Sequence, residues 1–188
     1  NERNLAAAAR NLGSRPFVIK TAQGRQGRGV FLAKDADEAL RLFQERPPAL
    51  GQGLVLQRFV SPEHRRRDIR VLVMGGRVVS AMALRPRRGE FRANVHLHGR
   101  AEALHLSKPM ERVAVKATAA VGLDIAGVDM IEEKDDTLLV VDVNYSPGFK
   151  GLEKSTGADI ASRIIAFTAS FLEPGQDGSV ESRAGVKP

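Results

Sequence analysis

Asp142 and Asn144 stand two residues apart at the end of an apolar run, Leu138 to Val143, that has strand composition. Side chains at i and i+2 of a strand project from one face. One carboxylate and one amide oxygen are therefore set side by side. The chain then turns at Ser146-Pro147-Gly148. Asp129 ends a second apolar segment, Ala126-Gly127-Val128, which can lie beside the first. Three hard oxygen donors on two neighbouring strands suit Mg²⁺, an ion that takes oxygen ligands and shares them with phosphates. Taken alone, the same pattern also describes solvated acids at strand ends.

Four further groups could do chemistry. Lys20 precedes the loop Gln23-Gly24-Arg25-Gln26-Gly27-Arg28-Gly29. Its glycines let backbone N–H groups approach an anion, and Lys20 adds a point charge for phosphate. The Gly-Lys-Ser/Thr ending of a P-loop is absent, and the loop joins two strands. A structural Gly-rich hairpin remains the alternative. Gln57-Arg58-Phe59-Val60 is an extended segment that could offer backbone groups and apolar walls to a base. On its own it is an ordinary buried strand. Asp68 and Arg70 share a strand face, where Arg70 could fork phosphate oxygens and Asp68 could accept from a ribose hydroxyl. The alternative is an ion pair across a hairpin. Arg92 and Asn94 are again two apart, and Arg92 could stabilise charge on a transferring phosphoryl group. His96 and His98 lack the further His or Cys that a zinc site needs, so they read as loop polar groups.

These residues need elements to hold them. Helices are expected over Asn4 to Asn11, Asp35 to Glu45 with Asp35 as N-cap, Lys108 to Val121, and Ala158 to Leu172. Short strands are expected at Phe17 to Lys20, Val30 to Ala33 and Leu54 to Phe59. Ile69 to Met74 and Arg77 to Leu84 form a hairpin around Gly75-Gly76. Arg85 to Arg100 reads as irregular and basic, and the Gly/Pro/Ser-rich tail from Glu173 as disordered. Strand–loop–strand–helix–strand followed by an antiparallel hairpin indicates an α+β fold rather than a doubly wound sheet.

Composition narrows the chemistry. With 188 residues the chain can build a real core. It has no Cys, which excludes a disulfide framework, a thiolate metal site and a Cys nucleophile. No apolar run reaches the length of a membrane span, and no leader opens the sequence, so a cytoplasmic protein is expected. The net charge of +7 attracts polyanions. Aromatics make up only 5%, with no Trp and one Tyr, which favours an anionic small ligand over nucleic acid that would be held by base stacking. The opening Asn1-Glu2-Arg3 reads as the start of a fragment.

In order and spacing, these groups resemble the ATP-grasp ligases, and most closely the RimK-type glutamate ligases. The motifs are Gln26-Gly27-x-Gly29-Val30, Asp68-Ile69-Arg70, Phe91-Arg92-Ala93-Asn94, Ala126-Gly127-Val128-Asp129 and Asn144-x-Ser146-Pro147-Gly148. Gly151 to Gly157 is similar to the segment that follows in that type. The resemblance runs from about Pro16 to Phe167. It implies an ATP-grasp fold, two α+β lobes with antiparallel sheets gripping ATP between them. Residues 1–60 would be the lid lobe, residues 61–172 the C-terminal lobe with the metal site, and residues 173–188 a tail. It implies an ATP-dependent carboxylate–amine ligase working through an acyl phosphate, with glutamate as the favoured amino acid and a peptide or small-molecule carboxylate as acceptor. The basic surface suits an acidic protein or peptide C-terminus.

By the same resemblance, Asp129, Asp142 and Asn144 are the ligands of two Mg²⁺ ions, with Mn²⁺ as a substitute. Lys20, Gln23, Gly24, Gln26, Gly27 and Gly29 hold phosphate, and Gln57, Arg58, Phe59 and Val60 form the adenine hinge. Asp68 contacts nucleotide, Arg92 with the cofactor-binding Asn94 contacts transferring phosphate or substrate, and Arg70 is a similar candidate. Asp142 stands where these ligases commonly carry Glu, and Arg58 where the hinge is usually acidic. The family's N-terminal domain, which helps form the acceptor site, is expected in cis outside this sequence, and a homo-oligomer is left open. Two other readings stay open. One is another ATP-grasp ligase of amino-acid, cofactor or peptide natural-product biosynthesis. The other is a degenerate, nucleotide-binding regulatory domain.

Overall fold

The structure is a computed structural model that describes residues 2–13, 16–21, 29–45, 53–60, 67–85, 100–132 and 137–171. Within those residues the chain forms two antiparallel sheets with helices, as an α+β sequence requires. The expected disordered tail and most of the basic stretch after Arg85 lie outside the described residues.

The first sheet has the order β2-β1-β3, from β1 (Phe17–Thr21), β2 (Val30–Ala33) and β3 (Leu54–Arg58). Alternation in β1 buries Phe17 and Ile19 and leaves Val18 and Lys20 on the other face. The buried face packs with Ala33, with Ala9 and Leu12 of α1 (Glu2–Leu12), and with Ala39 and Leu42 of α2 (Ala36–Glu45). Asp35 caps α2: its carboxylate accepts from the Glu38 N–H at 2.8 Å, and Glu38 reaches back to the Lys34 N–H at 2.8 Å. One amide orphaned at the helix start, that of Glu38, is so satisfied, and the Glu38 side chain ties down the residue before the cap.

The second sheet has the order β6-β5-β4-β7-β8. Its strands are β4 (Asp68–Met74), β5 (Arg77–Arg85), β6 (Arg100–Ala103), β7 (Ile125–Glu132) and β8 (Leu138–Asn144). The β4–β5 hairpin turns at Gly75 and Gly76, both at positive φ (57° and 71°), which a tight two-residue turn demands. One face of the sheet carries Ile69, Val71, Val73, Ala81, Val128 and Met130. It packs against Met110, Val113, Ala114 and Ala117 of α3 (Lys108–Ala120). The other face carries Leu72, Met82 and Leu84. These pack against Leu152 of α4 (Lys150–Thr156) and against Ile160 and Ile164 of α5 (Ile160–Ser170).

Several expectations need correcting. Asp129 does not end its strand: β7 continues through Met130 and Ile131, which are buried and extend the apolar run. The closing helix begins at Ile160 rather than Ala158, because Asp159 is its N-cap. A separate helix, α4, precedes it and ends on Gly157 in the left-handed conformation. Arg100, expected as the last residue of an irregular stretch, instead opens an edge strand, Arg100–Ala103, that the sequence reading did not mark. Its four residues are too few, and too polar, for alternation to reveal.

Candidate active site

Register assembles the charged residues on one face. Arg70 of central β4 lies opposite Asp129 of β7, and Asp129 lies opposite Asp142 of β8. Asn144 lies opposite Gly127. Asp68, two residues before Arg70, shares the same face at the strand's start. Strands β4, β7 and β8 therefore present Asp68, Arg70, Asp129, Asp142 and Asn144 beside the apolar residues that α4 and α5 cover.

A bulge makes this possible in β8. Asp129 pairs with Asp142, but Met130 pairs with Val140, so Val141 is an extra residue. The bulge lets both Leu138 and Val143 pack on the α3 face although they are five apart. Strict alternation would place them on opposite faces. Asp142 and Asn144 then point away from α3 and are exposed.

Asp129 and Asp142 are like charges on directly opposite positions, an unfavourable arrangement without a cation. Arg70 supplies one. Its Nε donates to Oδ1 of Asp129 and its Nη2 to Oδ2, both at 2.7 Å. This two-pronged geometry is the strong form of the ion pair. The hydrogen bond to Asp129 raises the Arg70 pKa above its ordinary value; burial opposes this, and the charges of Asp129 and then Asp142 reinforce it. The sequence alternative of a pair across the β4–β5 hairpin is thus replaced by a pair on the other side of β4. Arg67 and Glu132 make a second fork one step along, at 2.9 and 2.7 Å. Neither partner stood out in the sequence, because only the β4–β7 register brings them together.

The turn after β8 is fixed from two sides. Oδ1 of Asn144 accepts from the Ser146 N–H at 2.9 Å, an Asx-type turn. Pro147 folds back over β7, where a Cβ on Gly127 would stand 2.7 Å from Cβ of Pro147. Gly127 is a site-shaping residue that reading for donors overlooks. Its signal is the close approach of another segment inside a strand.

Two carboxylates and one amide oxygen on a single face fit a hard divalent cation. Arg70 occupies one direction on each Asp129 oxygen, and a carboxylate oxygen has a second lone pair to offer.

In the three-stranded sheet, Lys20 lies opposite Val30 and Val55, and Gln57 lies opposite Val18. Lys20 and Gln57 so share the face away from α1 and α2. Arg58 lies opposite Phe17, on the helix-covered face, and is exposed. Phe59 leaves the strand but keeps its pairing direction, donating its N–H to the Pro16 carbonyl at 2.8 Å. Gly29 closes the base of the loop, where its carbonyl accepts from the Thr21 N–H at 3.1 Å. Gln23, Gly24, Gln26 and Gly27, with Arg25 and Arg28, lie outside the described residues. So do Arg92, Asn94, His96 and His98.

Known proteins share this plan. Residues 3–168 match the RimK-like ATP-grasp domain. A probable alpha-L-glutamate ligase of Vibrio parahaemolyticus is 37% identical over 174 residues, 91% of this chain and 56% of that protein. One of Thioalkalivibrio sulfidiphilus is 39% identical over 162 residues, 85% of this chain and 52% of that protein. The chain thus spans about half the length of the curated relatives it matches. Among solved structures, D-alanine–D-alanine ligase from Bacillus anthracis superposes with a TM-score of 0.67 at 19% identity, covering 88% of this chain and 58% of that one. The ATP-grasp ligase PsnB, complexed with a variant of its minimal precursor, Mg and ADP, superposes with a TM-score of 0.62 at 22% identity, covering 90% of this chain and 50% of that one. These neighbours share the fold, and the match over nearly the whole length decides the family: the chain belongs to the RimK-like ATP-grasp family.

Proposed function

We propose that this chain is the nucleotide-binding part of an ATP-dependent carboxylate–amine ligase. The observation that carries the reading is the single-face cluster of Asp129, Asp142 and Asn144, with Arg70 forked onto Asp129. Residues 1–60 serve as the lid lobe and residues 61–172 as the lobe that bears the metal site. Asp129, Asp142 and Asn144 hold the divalent cations, two Mg²⁺ ions or Mn²⁺ in their place. Bound there, the ions neutralise charge on the nucleotide phosphates and on the transferring phosphoryl group.

Lys20 and the loop through Gly29 engage phosphate, and the backbone of Gln57 to Val60 meets the adenine edge. Asp68 and Asn94 contact the nucleotide. Arg92 and Arg70 stabilise the transferring phosphoryl group. The γ-phosphoryl group passes from ATP to a carboxylate oxygen, releasing ADP. An amine then attacks the acyl carbon, the amide forms, a proton leaves the nitrogen and inorganic phosphate departs. The relatives named probable alpha-L-glutamate ligase support glutamate as the amino acid, and the peptide-bound neighbour supports a peptide acceptor. The chain's net charge of +7 favours an acidic acceptor.

The test is ADP release by the full-length protein with Mg·ATP, screening glutamate and other amino acids against acidic peptides. Release that requires both a carboxylate and an amine is expected. Asp142→Ala should abolish Mg·ATP binding measured by calorimetry. Unchanged binding would remove the metal assignment. Binding with no substrate-dependent release would instead point to the regulatory reading.

A further inference from the structure

The fork between Arg70 and Asp129 poses a chemical problem. Both oxygens of a metal ligand are already bonded to a cation, each at 2.7 Å. Asp129 and Asp142 carry two negative charges, and Arg70, forked onto Asp129, offsets one of them. A bare divalent ion entering this site meets a guanidinium that is held close by the same two acids. A metal–nucleotide complex meets it differently, because the phosphates bring the negative charge that a guanidinium favours.

We infer that Arg70 is a resident counter-cation that makes the Asp129–Asp142–Asn144 site select the metal–nucleotide complex over the free metal ion. The inference rests on the metal assignment proposed above. In the unloaded chain Arg70 holds Asp129 in place and offsets its repulsion with Asp142 across the β7–β8 pair. On loading, the cation takes over part of the Asp129 carboxylate, and the phosphates take over Arg70. The guanidinium is thus a positioning residue before nucleotide arrives and a phosphate partner afterwards. Its fork geometry suits both tasks, since carboxylate and phosphate accept the same paired N–H groups.

A side chain with only a structural role would affect both kinds of binding in the same direction. Arg70→Met keeps much of the volume and removes the charge. It should bind free Mn²⁺, measured by electron paramagnetic resonance without nucleotide, about tenfold more tightly than the parent, the order expected when a nearby unit charge is removed from a half-exposed site. The same variant should bind Mn·ATP more weakly. Arg70→Lys keeps the charge but loses the fork, so its free-Mn²⁺ affinity should fall between the two. It also serves if Arg70→Met does not fold.

Free Mn²⁺ affinity that is unchanged or lower in the folded variants overturns the inference and leaves the metal site standing. A folded parent that binds Mn²⁺ neither alone nor with ATP overturns the metal assignment, and the inference with it.

Discussion

The two faces of the five-stranded sheet are built from the same strands and do different work. On the α3 face, Ile69, Val71, Val73, Val128 and Met130 are all nearly inaccessible. On the opposite face the alternate positions are split. Toward β5, Leu72, Met82 and Leu84 meet α4 and α5, while toward β8, Arg70, Asp129, Asp142 and Asn144 face outward. A strand can therefore carry a rigid core and a polar site one residue apart, with register sorting the two. The apolar face fixes the backbone and so holds the charged groups at their spacing.

The strongest way to break this division is Ile69→Ala. Ile69 sits between Asp68 and Arg70 in sequence, yet its side chain is 1% exposed on the α3 face. Removing it leaves a cavity and should cost about 2–5 kcal/mol of stability by denaturant unfolding. Nucleotide affinity of the folded protein should be unchanged. A large loss of affinity at full folding would show that the faces are not separable.

Gly127→Ala probes the reverse case, a residue where the two tasks meet. The added Cβ would stand 2.7 Å from Pro147, whose ring is stiff, so the turn after Asn144 must move. Overpacking of this kind should cost roughly 1–3 kcal/mol. Unlike Ile69→Ala, it should also weaken Mg·ATP binding measured by calorimetry, because Asn144 lies directly opposite. Stability loss with unchanged Mg·ATP affinity would show that the turn does not position Asn144.

Much of this was legible in the sequence, and for definable reasons. Local alternation and turn chemistry marked β1, β4 and β5, and Gly75-Gly76 marked their hairpin. The spacing of Asp142 and Asn144 placed both on one face. Pairing between distant segments was not legible. The Arg70–Asp129 and Arg67–Glu132 forks join residues 59 and 65 apart and depend on β7 lying beside β4. The β8 bulge was equally hidden, since Val140 and Val141 carry no turn residue to announce it. Helix α4 spans only seven residues, including a glycine, and is held by Leu152 against Met82 and Leu84 rather than by propensity. No helix among the described residues is long and apolar enough to cross a membrane.

The smallest expected effect tests how the covered part of the site face is held. Helix α5 starts with two acceptors: Asp159 accepts from the Ser162 N–H at 3.0 Å, and Glu153 accepts from the N–H groups of Ile160 and Ala161 at 3.0 and 3.1 Å. The backbone hydrogen bond from Ser162 holds the Asp159 carboxyl below its ordinary range. A carboxylate lowered in the folded state contributes stability above its unfolded pKa, and that contribution is lost as pH falls through the folded value. Asp159→Asn keeps an N-cap acceptor but cannot titrate. Between about pH 5 and pH 2, the parent's melting temperature should therefore fall slightly more steeply than the variant's. At neutral pH the two should bind Mg·ATP alike, because α5 covers the apolar end of the face and not its charged end. Equal slopes would show that the cap favours neither protonation state. Altered nucleotide affinity would show that the packed and open ends of this face are coupled.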